Sequence, residues 1–230
     1  MVDLATSRWP ELGSPDVVLI PLGSTEQHGP HLPFETDTVI AVSVAEALAA
    51  ELAFSEVFAV VAPALAIGAS GEHQDFPGTL SMGNEALRHV VLELARSVKT
   101  WSPRVVFVNG HGGNAPVLAD VVSQLVDEGH KAIWVSCGVP GQDAHAGREE
   151  TSLMLYLAPG TVDMSRAEAG AEQSIQELLP RLRTEGVRGV SSNGVLGNPQ
   201  GATRAEGKDL LEQMTSAVAA KVRDWMGVSP

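Results

Sequence analysis

The stretch RVVFVNGHGGNAPVLADVVSQLVDEG, residues 104–129, carries the pattern that decides the fold class. Its first part, 104–110, is almost continuously apolar, as expected for a parallel strand buried on both faces. Its last part, 115–129, has helical spacing and stops at Gly129, a residue type that commonly ends helices. A buried strand, a glycine-rich turn and an amphipathic helix in this order predict a layered α/β domain.

The same alternation of β-branched and amphipathic segments runs through the rest of the chain. Further strands are predicted at 16–23, 57–65 and 131–138. Further helices are predicted at 37–52, 84–101, 148–160, 165–182 and 203–226. Asn84 is a candidate N-cap, and Pro180 is expected to cut its helix. Thr203 and Glu206 have the spacing of a capping box.

Residues 186–202 form a glycine- and asparagine-rich excursion that is long enough to be functional. The chain contains no repeat, linker or low-complexity tract. Residues 1–230 are therefore predicted to form one domain, a layered α/β/α fold with a mostly parallel sheet.

Composition excludes several classes of function. A hydrophobic content of 44% and a mean hydropathy of +0.07 suit a soluble globular enzyme. The net charge of −13 argues against nucleic acid or an anionic membrane as partner. There is no apolar run of membrane-spanning length and no visible secretory signal, and the single cysteine, Cys137, fits a reducing compartment. A cytoplasmic location is expected.

Polar side chains concentrate where the predicted strands end. Five of the seven histidines and several acids follow strand ends: Glu26, His28, His31 and Asp37; Ser70, Glu72, His73 and Asp75; His111; and His145, Glu149 and Glu150. In an open parallel sheet, ligands bind outside the carboxyl ends of the strands. Carboxylates and imidazoles on one rim suit Zn²⁺, Mn²⁺ or Fe²⁺.

Each of these signals has a structural alternative. Glu26 and His28 flank one residue and point the same way in an extended segment, but they also fit a solvated polar turn. Asp37 fits either an ordinary N-cap or a carboxylate that bridges two cations. His111 among glycines fits a close-packed ligand or an incidental turn residue, and Glu149 fits the helix dipole. The metal hypothesis rests on the coincidence of all four groups.

Taken together, these segments resemble the creatininase family of amidohydrolases. The resemblance is carried by PLGSTEQHGPHLP (21–33) with Asp37, GASGEHQDFPGT (68–79), VNGHGGNAP (108–116) and HAGREETSLML (145–155). It implies a two-metal centre, with Zn²⁺ and Fe²⁺ or Mn²⁺, in a homo-oligomer. It also implies metal-ligand roles for Glu26, His28, Asp37 and His111, with Asp37 bridging.

The resemblance assigns the remaining roles as well. Ser70 and His73 match substrate-side positions, His145 matches the catalytic histidine, and Glu150 matches the acid of the ETS segment. Creatininase proper has a tyrosine and a metal-binding glutamate where this chain has Gly112 and Gly113. Glu150 is therefore the candidate for the missing metal ligand, beside its catalytic assignment.

The glycines at 112 and 113, and a third at 141 in place of a tryptophan, argue against creatinine as substrate. An opened site favours a longer substrate, such as a peptide. GEHQDFPGTLSMG (71–83) and NGVLGNPQGAT (193–203) most resemble the mycofactocin branch of the family. That branch implies a peptidase that releases a C-terminal dipeptide from a modified precursor peptide. Hydrolysis of a small cyclic amide or formamide, and metal binding without turnover, remain alternatives.

Overall fold

A five-stranded parallel sheet lies at the centre of the computed structural model, which describes residues 2–138, 141 and 143–228. The strands run β1-β3-β2-β4-β5 across the sheet, and every neighbouring pair is parallel. They are β1 (Val2–Asp3), β2 (Val17–Leu22), β3 (Ala59–Val61), β4 (Arg104–Asn109) and β5 (Lys131–Ser136). This arrangement confirms the predicted fold class.

Helices cover both faces of the sheet. They are α1 (Thr36–Phe54), α2 (Gly83–Val98), α3 (Ala115–Asp127), α4 (Arg148–Leu157), α5 (Ile175–Val190) and α6 (Arg204–Met226). Alternate residues of β2 face opposite layers: Val17 and Leu19 pack with α1, α4 and α6, whereas Val18 and Ile20 pack with α2 and α3. In the part of the chain that the structure describes, no helix has the length and apolar composition to cross a bilayer.

The order of the strands creates a crevice above β2 and β4. These strands are neighbours, but the helices that follow them, α1 and α3, pack on opposite faces of the sheet. The chain therefore leaves the two carboxyl ends in opposite directions, which opens the space where ligands bind in parallel α/β sheets.

One predicted strand has different bounds in the structure, and one strand of the sheet was not predicted. The second predicted strand is shorter than 57–65 and ends at Val61, because Pro63 has no N–H for the ladder. Pairing returns only as an isolated bridge between Leu22 and Leu65. The two-residue edge strand β1 was not predicted, since two residues are too few to form a hydrophobic pattern.

The helix predicted at 165–182 is wrong in its bounds. It begins at Ile175, where Ser174 and Glu177 form a capping box, and continues past Pro180 to Val190. Its interruption lies at Gly186, whose φ of 65° is in the left-handed region. The predicted excursion at 186–202 therefore begins with helical residues, and only the segment after Val190 is irregular.

The structure also tests three predictions about helix ends. Asn84 is not an N-cap, because α2 already begins at Gly83. Thr203 caps α6 by accepting a hydrogen bond from the Glu206 amide at 3.2 Å. The Glu206 carboxylate does not complete the capping box, since it binds Arg148 and Ser152 instead.

Candidate metal centre

Asn114 ties together the loops that follow three strands. Its Nδ2 donates to the Gly23 carbonyl at 3.1 Å and to Asn109 Oδ1 at 3.1 Å. Its Oδ1 accepts from the Ala69 amide at 2.9 Å. The second asparagine of NGHGGN therefore fixes the carboxyl ends of β2, β3 and β4 relative to one another.

Two glycines allow the close approach of these loops. A Cβ at Gly110 would collide with the Asp37 carbonyl, and one at Gly113 would collide with the His111 ring and the Ala69 carbonyl. The expectation that glycine opens the site applies to Gly112, which has free space around it among the described residues. The room beside Gly113 is taken, in part by the Glu72 carboxylate.

The first group of possible metal ligands consists of Glu26, Asp37 and His111. His111 Nδ1 lies 3.2 Å from Glu26 Oε1 and 3.3 Å from Asp37 Oδ2. All three side chains are buried. The loop after β2, the first turn of α1 and the loop after β4 each contribute one of them.

The second group consists of His28, Asp37 and Glu150. His28 Nε2 lies 3.0 Å from Asp37 Oδ1 and 3.8 Å from Glu150 Oε2. Asp37 thus belongs to both groups and presents a different oxygen to each histidine. A third possible trio, Glu26, His28 and His145, reuses members of the first two. The five residues Glu26, His28, Asp37, His111 and Glu150 are called the donor cluster below.

Backbone carbonyls orient both histidines of the donor cluster. His28 Nδ1 lies 3.1 Å from the Glu26 carbonyl, and His111 Nε2 lies 3.1 Å from the Ala69 carbonyl. A carbonyl only accepts, so in the neutral ring these outer nitrogens carry the protons. The inner nitrogens then direct their lone pairs at the carboxylates, which is the arrangement seen for metal-binding histidines.

Two carboxylate oxygens of the donor cluster indicate that a cation fits there. Glu26 Oε1 and Asp37 Oδ2 are buried and have no hydrogen-bond partner among the described residues. A buried polar atom without a partner is costly, and a buried charge is more so. The other Glu26 oxygen already accepts from the Ser24 hydroxyl at 2.7 Å. A divalent cation between these oxygens and the imidazole lone pairs would satisfy both.

The electrostatics of the metal-free cluster follow from burial and pairing. Burial would raise the pKa of Glu26, but His111 and His73 hold it well below its usual value. Burial would lower the pKa of His28, but Asp37 and the other acids raise it to about 10. The pKa of His111 is also raised well above its usual value, by Glu26 and Asp37 against burial.

The N-cap alternative for Asp37 is wrong. Asp37 is the second residue of α1, and its side chain points inward to His28 and His111. The residue at the N-cap position is Glu35, which makes no side-chain capping bond.

Glu150, in the first turn of α4, accepts from the Ala146 amide at 2.6 Å, and its side chain is 25% exposed. Burial raises the pKa of Glu150 to about 7.

Two more predicted histidines border the donor cluster. His145 Nε2 lies 2.7 Å from the Gln27 carbonyl, and its Nδ1 lies 3.7 Å from Glu26 Oε1. His73 Nε2 lies 3.3 Å from the same Glu26 oxygen. Burial lowers the pKa of His145 well below its usual value and that of His73 to about 4.

Ser70 does not face solvent but lies inside the protein. It is fully buried, and its hydroxyl makes a very short contact with the Ser24 hydroxyl, which in turn binds Glu26. The predicted contact of Ser70 with substrate stays a prediction.

His31 and Glu149 lie outside the donor cluster: His31 Nε2 contacts Thr151 Oγ1 at 2.9 Å, and Glu149 accepts from the Asp143 amide at 3.2 Å.

Sequence reasoning missed two polar residues of the first loop. Ser24 binds the carboxylate of Glu26, and the amide of Gln27 contacts His73 and His145. Both stand in GSTEQHG beside the predicted ligands. Their position next to Glu26 and His28 was the available signal, but their partners come from distant parts of the chain.

Comparison with known proteins agrees with this geometry. The family model described as "Creatininase: Creatinine amidohydrolase" matches residues 5–222. A mycofactocin precursor peptide peptidase of Mycolicibacterium smegmatis is 48% identical over 91% of this chain and 85% of its own length. A creatinine amidohydrolase of Pseudomonas putida is 26% identical over 90% of this chain and 89% of its own. A solved structure named "Creatininase Mn" has a TM-score of 0.79 at 25% identity, covering 97% of this chain and 98% of that one.

The family model matches nearly the whole chain, and the identity to a curated peptidase is 48%. The chain belongs to the creatininase family and is a hydrolase.

Proposed function

We propose that the protein is a metal-dependent peptidase that cuts an amide bond near the C-terminus of a modified precursor peptide and releases the C-terminal dipeptide. The observation that carries the chemistry is Asp37, whose two oxygens face two separate groups of ligands. The substrate is inferred from the relative that is 48% identical, a mycofactocin precursor peptide peptidase.

The donor cluster would hold one cation with Glu26, Asp37 and His111, and a second with His28, Asp37 and Glu150. Two divalent cations, when bound, supply a water of lowered pKa, from about 15.7 toward about 7, and polarise the scissile carbonyl. We take the pair Zn²⁺ with Fe²⁺ or Mn²⁺ from the family resemblance, and a mixture of imidazoles and carboxylates suits all three.

His145 is the proposed proton carrier. Its Nε2 proton is engaged by the Gln27 carbonyl, so its Nδ1 lone pair faces Glu26. Hydrolysis joins the oxygen of water to the carbonyl carbon and breaks the C–N bond. Nδ1 takes a proton from the water and delivers it to the departing nitrogen, which leaves as an amine. The lowered pKa of His145 keeps its ring neutral at pH 7, so Nδ1 carries no proton before the reaction.

A cavity beside the donor cluster supports a peptide rather than a small cyclic amide. It has a volume of about 510 Å³ and is lined by Gln27, Pro30, Phe34, Phe76, Pro77 and Arg166, among others. The volume lies in the range of ligand pockets. The lining combines apolar side chains with polar and charged ones, including Glu168 and Asn193. Gln27 connects the cavity to His73 and His145.

Incubation with the modified precursor peptide, followed by mass spectrometry, tests the proposal. We expect a loss of mass equal to the C-terminal dipeptide, about two metals per chain by elemental analysis, and loss of cleavage on chelation. His145→Gln should retain the metals and lose turnover. A fully loaded protein that leaves the peptide intact would refute the substrate. A chain without metals that still cleaves would refute the mechanism.

The family resemblance also leads us to propose a homo-oligomer in the cytoplasm. Light scattering of the purified full chain measures its mass in solution. A mass equal to one chain at working concentration would exclude the oligomer. Fractionation of the source cells tests the location.

A further inference from the structure

Gln27 contacts both histidines that border the donor cluster, yet no role has been assigned to it. It lies between Glu26 and His28 and is 5% exposed. Its Nε2 is 2.9 Å from His73 Nδ1, and its backbone carbonyl oxygen is 2.7 Å from His145 Nε2. Gln27 Nε2 also lies 3.2 Å from His145 Nε2. The side chain of Gln27 therefore contacts both histidines, and its backbone carbonyl contacts His145 as well.

The orientation of the Gln27 amide is set by two backbone groups. Its Oε1 is 2.9 Å from the Gly29 amide, which only donates. Its Nε2 is 3.1 Å from the Gly194 carbonyl, which only accepts. Both contacts require the oxygen and the nitrogen to be as placed, so the amide group presents an N–H to His73.

The proton positions of the two histidines follow from this orientation. His73 Nδ1 accepts from the Gln27 amide, so the proton of the neutral ring is on Nε2, which faces Glu26 Oε1 at 3.3 Å. His145 gives its Nε2 proton to the Gln27 carbonyl, so its Nδ1 lone pair faces the same oxygen. When the rings of His28 and His111 are neutral, as they must be to bind metal, His73 is the one of the four histidines His28, His73, His111 and His145 that directs a proton inward.

We propose that Gln27 is a positioning residue that fixes the proton of His73 on Nε2, so that His73 presents an N–H towards the donor cluster while His145 presents a lone pair. His73 then stabilises negative charge that develops on the substrate carbonyl oxygen, whereas His145 moves the proton. This division of roles rests on the proposed hydrolytic function of the same site.

The test uses full-length, zinc-loaded protein with ¹⁵N-labelled histidine, since zinc is diamagnetic. Nitrogen NMR separates protonated from unprotonated ring nitrogens, and the His73 signals are those absent from His73→Gln. In the unaltered protein we expect His73 to be unprotonated at Nδ1 and protonated at Nε2. A proton on Nδ1 would overturn the proposal without any variant.

Gln27→Glu reverses the polarity of the contact with little change in size. A carboxylate only accepts, so we expect His73 Nδ1 to become protonated and kcat to fall about 10- to 100-fold with KM nearly unchanged, the range for partners that orient active-site groups. Unchanged Nδ1 protonation or unchanged kcat in this loaded variant would overturn the proposal. If Gln27→Glu does not fold, Gln27→Leu replaces it, with the same loss in kcat and a downfield shift of Nδ1 expected.

A matched control separates positioning from support of the loop that holds Gly194. Asn193 Oδ1 accepts from Ser191 Oγ at 2.8 Å and from the Val195 amide at 3.1 Å, so it holds the same loop without contacting His73. We expect Asn193→Ala to leave the protons of His73 in place. A change there equal to that of Gln27→Glu would assign the effect to the loop and overturn the proposal. The NMR result is independent of peptide cleavage, so failure of the proposed function is recognised separately.

Discussion

Replacement of Asp37 by asparagine tests whether one carboxylate serves both ligand groups. Asp37 Oδ1 lies 3.0 Å from His28 Nε2, and Oδ2 lies 3.3 Å from His111 Nδ1. Asparagine keeps the size of the side chain but removes its charge and one of its two acceptor oxygens. We therefore expect Asp37→Asn to lose both cations.

The expected losses of metal affinity and of folding stability can be calculated from the two ligand groups. Altering only an outer partner of a metal ligand costs about 10- to 100-fold in affinity, so loss of the charged ligand should cost at least about 100-fold at each site. At free zinc of about 100 times Kd, each intact site stabilises the fold by about 2.7 kcal/mol, and a site about 100-fold weaker by about 0.4 kcal/mol. For two sites the difference is about 5 kcal/mol, or roughly 10–20 °C in Tm for a chain of this size.

Elemental analysis after dialysis and thermal unfolding with and without zinc provide the readout. Glu26→Gln and Glu150→Gln are the matched controls, because each alters one ligand group only. We expect about two metals in the unaltered chain, about one in either control and almost none in Asp37→Asn. An Asp37→Asn protein that retains both metals and the full zinc-dependent rise in Tm would refute the bridging role.

Four further predictions follow from the same geometry. Metal binding at pH 7 should release at least about two protons, because His28 and His111 are protonated in the metal-free chain and Glu150, with a pKa of about 7, is partly protonated. Affinity should therefore fall as pH falls; calorimetry in buffers of different ionisation enthalpy measures the release, and a value near zero would contradict the prediction. Ser24→Ala removes the hydroxyl that binds Glu26 and should weaken zinc binding about 10- to 100-fold in a competition titration. Ser43→Ala should not weaken it, because the Ser43 hydroxyl donates only to the Val39 carbonyl within α1. Gly113→Ala should displace the His111 ring and lower the metal content, while Gly112→Ala, with free space around it among the described residues, should keep it. Phe107→Ala in the core should lower the free energy of unfolding in urea by about 3–5 kcal/mol, against a small effect of Val126→Ala, whose side chain is exposed.

Much of the fold could be predicted because the central strands are buried on both faces. β2 and β4 are runs of apolar residues between turn signals, a pattern with few competing interpretations. α5 was misplaced because Ser174 and Glu177 set its start, while the prediction treated the polar residues before them as helix. Pro180 lies inside α5 and does not end it.

The donor cluster was foreseeable for a different reason. Each ligand follows a strand, and parallel strands end at one edge, so residues distant in sequence were expected to meet there. The role of Gln27 was not foreseeable in this way. It depends on contacts with His73, His145 and Gly194. No periodic pattern in the sequence indicates that residues 27 and 194 are in contact.

The backbone of His145 is paired with Leu196 through hydrogen bonds in both directions, at 3.1 and 2.8 Å. All five members of the donor cluster precede residue 151, yet the segment that anchors this histidine is translated some 50 residues later. A nascent chain that has emerged only through α4 lacks this anchor for the proposed proton carrier, and it also lacks α6, which packs on α1 and α4. We therefore expect the proposed activity to be acquired only when synthesis of the chain is nearly complete.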